Sequence, residues 1–188
     1  MTEALGASTG AAANAAMDRY ACGDGSAFAE VYDALADRLF RFLVRRTNDS
    51  AQAEDLLQQT FLHMHCARET YVQGGDVVPW AFCIARRLSV DVHRKSGREV
   101  LGELSSEHED GRGTPEDALA NRESARAFQQ ALERLPEPQR LAFELTKYDG
   151  LSHAEAAHIL GTTVTAVKLR VHRTYETLRA TALSREAR

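Results

Sequence analysis

The residues in this sequence that are best suited to chemistry are basic side chains near its carboxyl end, whose natural partner is nucleic acid. The spacing of apolar residues predicts two short helices that meet at Gly161, the second longer and basic. Ser152, followed three residues later by Glu155, has the pattern of a capping box at the start of the first helix. Small residues where two helices cross, with a glycine in the turn, are typical of a helix-turn-helix DNA-binding unit.

The second of these helices is predicted to separate apolar from basic residues. Thr162 or Thr163 is expected to cap it. The side chains expected to point inward are Val164, Val167 and Val171, and those expected to point outward are Lys168, Arg170 and Arg173. An outward row of Lys and Arg can contact base edges and phosphates in the major groove, although an ordinary solvated face has the same composition.

A second basic cluster lies in the middle of the chain, at the end of a predicted helix that begins near Pro79. It consists of Arg86, Arg87, Arg94, Lys95 and Arg98. These residues could bind DNA, but basic side chains also favour the carboxyl end of their own helix through its dipole. Trp80 and Phe61 could stack on unpaired bases, while their helical spacing favours core positions for both.

The spacing of candidate ligands does not support a metal site. His63 and His65 are two residues apart and point to different sides of a helix, which leaves His63 and Cys66 as the well-spaced pair. Cys83 has no partner at usable spacing. The sequence also lacks a phosphate-binding loop, a dinucleotide-binding turn and a nucleophile elbow. We therefore expect no metal, no cofactor and no catalytic residue.

Length and composition are those of a globular protein. The 188 residues, 44% of them hydrophobic, can form one or two domains. Neither a membrane span nor a secretory signal is present in the pattern, and three cysteines without a repeated spacing indicate a reducing compartment, so a cytoplasmic protein is expected. The net charge of −4 is unevenly distributed: residues 99–123 contain eight acidic residues and two arginines, which leaves the rest of the chain slightly positive.

The sequence predicts an all-α protein with two small helical domains joined by a flexible acidic linker. Residues 1–24, rich in Ala, Gly, Ser and Thr, are expected to form a flexible tail. The first domain is predicted over residues 25–95, the linker over 96–114 and the second, helix-turn-helix domain over 115–183.

Individual helices can be predicted within these domains. In the first domain, Ser26 is expected to cap a helix that ends at residues 48–50, and the next helix is expected to bury Leu57, Phe61 and Met64. The first apolar face of the second domain is predicted to consist of Leu119, Ala125, Phe128, Leu132 and Leu135.

The motifs of both domains together resemble the extracytoplasmic-function sigma factors, the two-domain alternative sigma subunits of bacterial RNA polymerase. The family's polymerase-binding helix is similar to AEDLLQQTFLHMH (residues 53–65), and its promoter-opening helix is similar to PWAFCIARRLSVDVHRK (residues 79–95). Its helix-turn-helix domain is similar to residues 132–179. The resemblance covers nearly the whole chain after Phe28.

The resemblance implies a partner or an element of promoter DNA for each motif. Residues implied in binding core RNA polymerase are Asp55, Leu56, Gln58, Gln59 and Phe61. Residues implied in recognising and opening the minus-ten promoter element are Trp80, Arg86, Arg87, Asp91, Arg94 and Lys95, together with the loop 73–78. Residues implied at the minus-thirty-five element are Thr163, Thr165, Lys168, Arg170 and Arg173. The resemblance further implies control by an anti-sigma factor in response to an environmental or envelope stress signal.

Three positions depart from the family's usual pattern and leave the promoter sequence open. Gln59 replaces a common Glu, Arg87 stands where Asn is frequent, and Leu169 replaces a common Ser. One alternative is a stand-alone helix-turn-helix regulator, which has no need of the motif at residues 53–65 or of the helix containing Trp80. Another is an interaction protein that has kept the fold and lost promoter recognition, an interpretation that Arg87 and Leu169 keep open.

Overall fold

The structure is a computed structural model that describes residues 2–96 and 125–186. Within these ranges every regular element is a helix, which confirms the predicted all-α class. The chain divides into two compact units, residues 1–104 (unit 1) and 105–188 (unit 2). The elements of unit 1 are α1 (Thr2–Ala21), α2 (Ala27–Thr47), α3 (Ser50–Cys66), a short 3-10 turn (Arg68–Thr70) and α4 (Val77–Ser96). The elements of unit 2 are α5, which includes residues 125–133, α6 (Glu137–Lys147), α7 (His153–Leu160) and α8 (Val164–Glu186).

Several predictions fall on residues that the structure does not describe. These are the linker from residue 97 onward, Arg98, Leu119 and the start of the second predicted domain up to residue 124.

Unit 1 is organised around a contact between α2 and α4. Phe42 of α2 and Phe82 of α4 are both fully buried, with their ring centroids 5.2 Å apart. α3 packs against both helices through the predicted stripe, which the structure confirms as buried: Leu57, Phe61 and Met64, with Leu56 beside them.

Local chemistry sets the ends of these helices. α2 ends at Thr47 and is capped by Asn48, which takes the left-handed conformation with a φ of 55°. Asp49 then caps α3, because its carboxylate accepts the backbone N–H of Ala51 at 2.9 Å. The predicted side-chain cap at Ser26 is absent: its backbone is already helical, and its hydroxyl donates to the carboxylate of Asp24 at 2.5 Å.

The predicted flexible tail over residues 1–24 is instead a helix over most of its length. In α1 the buried residues are Ala13, Ala16, Met17 and Tyr20, which recur at helical spacing and face the rest of unit 1. Alanine carries little hydrophobic signal, so this buried stripe resembles a solvated segment in composition. Burial against the other helices of unit 1 therefore decides the conformation.

Unit 2 contains the predicted helix-turn-helix. The capping box is confirmed, since the Ser152 hydroxyl accepts the N–H of Glu155 at 3.2 Å and the Glu155 carboxylate accepts the N–H of Ser152 at 2.7 Å. Gly161 adopts the expected left-handed conformation with a φ of 61°. The core is formed mainly by Leu132, Leu135, Leu141, Ala142, Leu145, Ala156, Ile159, Val167 and Val171.

Some predicted core positions of unit 2 are exposed. Val164 is 39% exposed because it lies in the first turn of α8, where neighbours cover it on one side only, whereas Val167 and Val171 are buried as predicted. In α5, Ala125 and Phe128 are exposed and only the carboxyl-terminal part of the predicted face is buried.

Among the described residues, none of the helices combines the length and apolar character needed to cross a bilayer. The three cysteines are free thiols.

Substitution of Met17 tests whether α1 belongs to the folded core. Met17 is 1% exposed, and truncation of a buried methionine to alanine costs about 2–5 kcal/mol. We expect the Met17→Ala variant to lose a free energy of unfolding in this range, measured by urea denaturation. Arg19→Ala is the matched control on the same helix, since the Arg19 side chain is exposed and forms a surface ion pair with Glu30 at 2.6 Å. Equal stability of Met17→Ala and the wild type would contradict the packing of α1 against the other helices of unit 1.

Substitution of Thr163 tests the start of α8. Its hydroxyl oxygen accepts the N–H of Ala166 at 3.2 Å, a cap whose loss costs about 1 kcal/mol. We expect Thr163→Ala to lower the free energy of unfolding of unit 2 by that amount, and Thr163→Ser, which keeps the hydroxyl, to stay close to the wild type. A similar loss in both variants would mean that the hydroxyl does not cap the helix.

Candidate functional site

One face of α4 carries most of the residues that the family resemblance assigns to the minus-ten element. Trp80, Arg87, Asp91 and Arg94 follow one another at steps of seven, four and three residues and so lie on one side of the helix. Arg87 and Arg94 are exposed, while Trp80 and Asp91 are half-buried. The opposite side of α4 buries Val78, Ala81, Phe82, Ala85 and Ser89.

Arg86 lies away from this face, because one residue turns an α-helix by about 100°. It is half-buried, and its Nε has no hydrogen-bond partner in the part of the chain that the structure describes. Burial raises the pKa of the neighbouring Cys83 thiol, with Arg86 acting in the opposite direction. The thiol therefore stays protonated at neutral pH. The structure does not describe the side chain of Lys95.

A tight loop, residues 71–76, precedes α4 and lies at the amino-terminal end of its basic face. Tyr71 packs against Trp80 with ring centroids 5.3 Å apart, and its hydroxyl donates to the carbonyl of Gly75. A Cβ at Gly75 would lie 2.8 Å from the carbonyl oxygen of Val72, so the turn requires glycine there. Val72 is 76% exposed and projects from the loop.

The environment of Tyr71 keeps its phenol neutral. Partial burial raises the pKa of Tyr71 to about 12, and the carboxylates of Asp18 and Asp76 act in the same direction. Since a raised phenol pKa favours the protonated form, the hydroxyl remains a hydrogen-bond donor at neutral pH.

Two side chains of α1, which the sequence does not single out, bind this loop. The Asn14 side-chain oxygen accepts the N–H of Val77 at 2.9 Å, and its amide donates to Asp76 at 3.0 Å. The Asp18 carboxylate accepts the N–H of Gly74 at 2.9 Å. The bonded residues are more than fifty positions apart in sequence, so no local motif reveals them.

The residues implied in polymerase binding divide into an exposed and a buried group on α3. Asp55, Gln58 and Gln59 are exposed on one face. Leu56 is 1% exposed and Phe61 is almost as buried, because both pack into unit 1. Leu56 thus supports the helix from within unit 1, and the exposed face itself is formed by Asp55, Gln58 and Gln59.

The exposed face of α3 borders an apolar groove that the sequence did not predict. Leu62, 60% exposed, lies on the same side of α3 as Asp55 and Gln59. The groove has a volume of about 590 Å³. Its walls are formed mainly by Tyr20, Phe28, Tyr32, Gln58, Phe61, Leu62 and His65.

Aromatic contacts join the side chains that form the walls of the groove. The rings of Tyr32 and Phe61 are 4.6 Å apart, and those of Tyr20 and Phe28 are 5.2 Å apart. Tyr20 also forms a hydrogen bond with His65 through its hydroxyl. α1 therefore contributes to this surface as well as to the 71–76 loop.

The outward face of α8 contains most of the residues assigned to the minus-thirty-five element. Thr165, Lys168 and Arg173 are exposed on the side opposite the buried stripe. The prediction that Arg170 lies on this face needs correction: Arg170 is half-buried and borders the stripe formed by Val167 and Val171.

Two exposed residues share the outward face of α8 and are additional candidates. They are Leu169 and His172, which lie four and seven residues after Thr165. Thr163 precedes the helix, and its hydroxyl oxygen is engaged in the cap.

The candidate metal ligands do not converge. In the described ranges, no three His, Cys, Asp or Glu side chains are arranged to hold a metal ion. His63 and Cys66 are exposed.

Comparisons with known proteins match both units. The family model described as sigma-70 region 2 matches residues 31–99, and the one described as sigma-70 region 4 matches residues 125–178. The first match contains α2 from residue 31 onward, α3 and the basic face of α4, and the second contains the helix-turn-helix.

Curated relatives are similar over most of this chain. SigW of Bacillus subtilis is 31% identical over 84% of this chain and 89% of its own length, and CarQ of Myxococcus xanthus is 34% identical over 87% and 93%. BldN of Streptomyces coelicolor is 35% identical over 86% of this chain, which spans 62% of that relative's length. SigW and BldN are described as ECF RNA polymerase sigma factors, and CarQ as an RNA polymerase sigma factor.

Solved structures share the fold. CnrH, in complex with the cytosolic domain of CnrY, is 22% identical with a TM-score of 0.68 and covers 92% of this chain and 98% of its own. RpoE of Bartonella quintana, in complex with the anti-sigma factor NepR, is 23% identical with a TM-score of 0.67 and covers 82% and 96%. With both sigma-70 regions matched in order and full-length relatives above 30% identity, the chain belongs to the ECF sigma factors, the extracytoplasmic-function group of RNA polymerase sigma subunits.

Proposed function

We propose that this chain binds core RNA polymerase in the cytoplasm and directs it to a specific set of promoters, with unit 1 at the minus-ten element and unit 2 at the minus-thirty-five element. The observation that carries this proposal is that each sigma-70 region presents an exposed basic helix face, Arg87 and Arg94 on α4 and Lys168 and Arg173 on α8. A stand-alone regulator would need only the second of these faces.

In unit 1, recognition of the minus-ten element would combine the loop and the basic face of α4. Arg87 and Arg94 can neutralise phosphates of the separated strand. Trp80, held against Tyr71, and the exposed Val72 offer apolar surface to an unpaired base. Taking a base out of the stack costs a few kcal/mol, which contacts between that base and this surface must offset.

In unit 2, recognition of the minus-thirty-five element would use the outward face of α8. Lys168 and Arg173 are suited to phosphates or guanine edges, and Thr165 to either base edges or phosphates. Leu169, exposed between them, is suited to an apolar contact with a thymine methyl group. The departure from Ser at this position would thus change base preference and preserve DNA binding.

The polymerase-binding surface would be the exposed face of α3. Asp55, Gln58 and Gln59 supply polar contacts, and Leu62 with the aromatic groove supplies apolar area. Such a combination, with an apolar centre and a polar rim, is typical of protein interfaces.

An anti-sigma factor is the third proposed partner. The structures of CnrH and RpoE each contain a second protein, the cytosolic domain of CnrY and the anti-sigma factor NepR. The wide apolar groove beside α3 is large enough for side chains of such a partner. An environmental or envelope stress signal would release the sigma factor from it.

The α3 surface is tested by core binding. We expect Asp55→Ala combined with Leu62→Asp to weaken the affinity for purified bacterial core polymerase roughly 100-fold, since centrally placed contacts dominate interface energy. Glu54→Ala is the matched control, because Glu54 is exposed on α3 but lies about 100° around the helix from Asp55. Circular dichroism checks the helical content. Unchanged co-elution of the double variant with core polymerase would refute this surface.

The α8 surface is tested by promoter binding of the reconstituted holoenzyme. We expect Lys168→Ala and Arg173→Ala each to weaken binding and to reduce the slope of log affinity against log salt concentration by about 1, as loss of one phosphate contact predicts. Arg170→Ala should have a smaller effect because Arg170 borders the buried stripe. A larger loss in Arg170→Ala than in either other variant would return Arg170 to the recognition face.

A further inference from the structure

We propose that α1 is part of the minus-ten recognition device, in which Asn14 and Asp18 act as positioning residues that fix the 71–76 loop in its DNA-reading conformation. The inference rests on the proposed function of unit 1. It goes beyond the family match, which begins at residue 31 and therefore assigns nothing to α1.

Asn14 acts on the junction between the loop and α4. The first N–H groups of an α-helix have no partner within the helix. Here the N–H of Val77, the first residue of α4, donates to the side-chain oxygen of Asn14 at 2.9 Å, so a residue 63 positions earlier acts as a cap. The amide of the same side chain donates to Asp76 at 3.0 Å. Asn14 thereby fixes the angle at which the loop enters α4.

Asp18 acts on the tip of the loop. It lies four residues after Asn14, one helical turn along α1, and its carboxylate accepts the N–H of Gly74 at 2.9 Å. Gly74 has a φ of +74°, a conformation that glycine can leave at little cost. A charged acceptor on a rigid helix selects this one orientation of the peptide.

The two contacts would order the loop before DNA binds. The exposed side chains of the loop are those of Val72, Gln73 and Asp76, whereas Asn14 and Asp18 are half-buried. Fixing a loop residue in one conformation costs conformational entropy. Because folding has already ordered the loop, more of the free energy of contact with a base is available to discriminate between bases.

A charge-swap pair provides the sharpest test. Asn14→Asp places two carboxylates, those of residue 14 and Asp76, against each other and removes their hydrogen bond. In an Asp76→Asn background the same substitution restores a bond, with the amide at position 76 now donating. Asp18→Ala removes the acceptor for Gly74, and Asp18→Asn keeps one. Arg19→Ala is the control, because Arg19 lies on the same helix and its side chain pairs with Glu30 and not with the loop.

The measurement is run-off transcription by reconstituted holoenzyme from a promoter selected by the wild type and from single-base variants of its minus-ten element. We expect the ratio of the two rates to fall roughly tenfold in Asn14→Asp and Asp18→Ala, the loss expected for a hydrogen bond to a charged group. Asn14→Asp in the Asp76→Asn background should match Asp76→Asn alone. Arg19→Ala should stay near the wild type, and Asp18→Asn, which keeps a neutral acceptor, should lose less than Asp18→Ala. We expect the affinity for core polymerase and the unfolding temperature to change too little among these variants to explain the differences in the rate ratio.

The outcomes separate the inference from the proposed function. If Asn14→Asp and Asp18→Ala discriminate between minus-ten bases as well as the wild type does, the role of α1 is overturned and the proposed function is unaffected. An equal loss in Asn14→Asp with and without Asp76→Asn would also overturn it, since the effect would then be general destabilisation. Failure of the wild-type protein to support promoter-specific transcription would overturn the proposed function, and this inference with it.

Discussion

The rotation of α4 about its own axis is the constraint on which the surface of unit 1 depends. Phe82 is fully buried against Phe42, and Ala85 lies beside it on the same side of the helix. Burial of one phenylalanine side chain contributes about 1.5–3 kcal/mol, against roughly 0.2–0.5 kcal/mol for a surface pair on a helix. Core packing therefore fixes the rotation of α4. Because the helix is rigid, Arg87 and Arg94 must then face outward, and the 71–76 loop must lie at the end of their row.

The same logic orients the recognition helix of unit 2. Val167 and Val171 are buried, and Ala156 and Ala157 of α7 are small enough to let the two helices approach closely. The capping box at the start of α7 and the left-handed Gly161 fix where that helix begins and ends. The outward face of α8 follows from these local constraints.

The parts of the structure that were predictable are those encoded by near neighbours in sequence. The capping box joins Ser152 to Glu155, the left-handed turn depends on Gly161 alone, and the α3 stripe repeats within three turns. Arg170 was misplaced because it lies two residues after Lys168, which is about 200° around the helix, and only the observed stripe shows which of the two borders the core.

The parts that could not be predicted depend on contacts distant in sequence. α1 is stabilised by burial of Ala13, Ala16 and Met17, which have little or no individual signal in a segment rich in small residues. Its bonds to the 71–76 loop join residues 56 to 63 positions apart. The exposed Leu62 and its groove likewise require the approach of α1 and α2 to α3.

Charge alone gives this chain little affinity for DNA, which explains why order in the 71–76 loop matters. The net charge is −4, and among the side chains that the structure describes the exposed cations of the two proposed DNA-binding faces are Arg87 and Arg94 on α4 and Lys168 and Arg173 on α8. The salt-dependent phosphate contribution is therefore modest and must be supplemented by the polymerase. Phosphate contacts carry no sequence information, whereas contacts to bases do. Under the proposed function, selectivity comes mainly from base contacts made by a loop already in place, and the side chains that hold this loop come from α1.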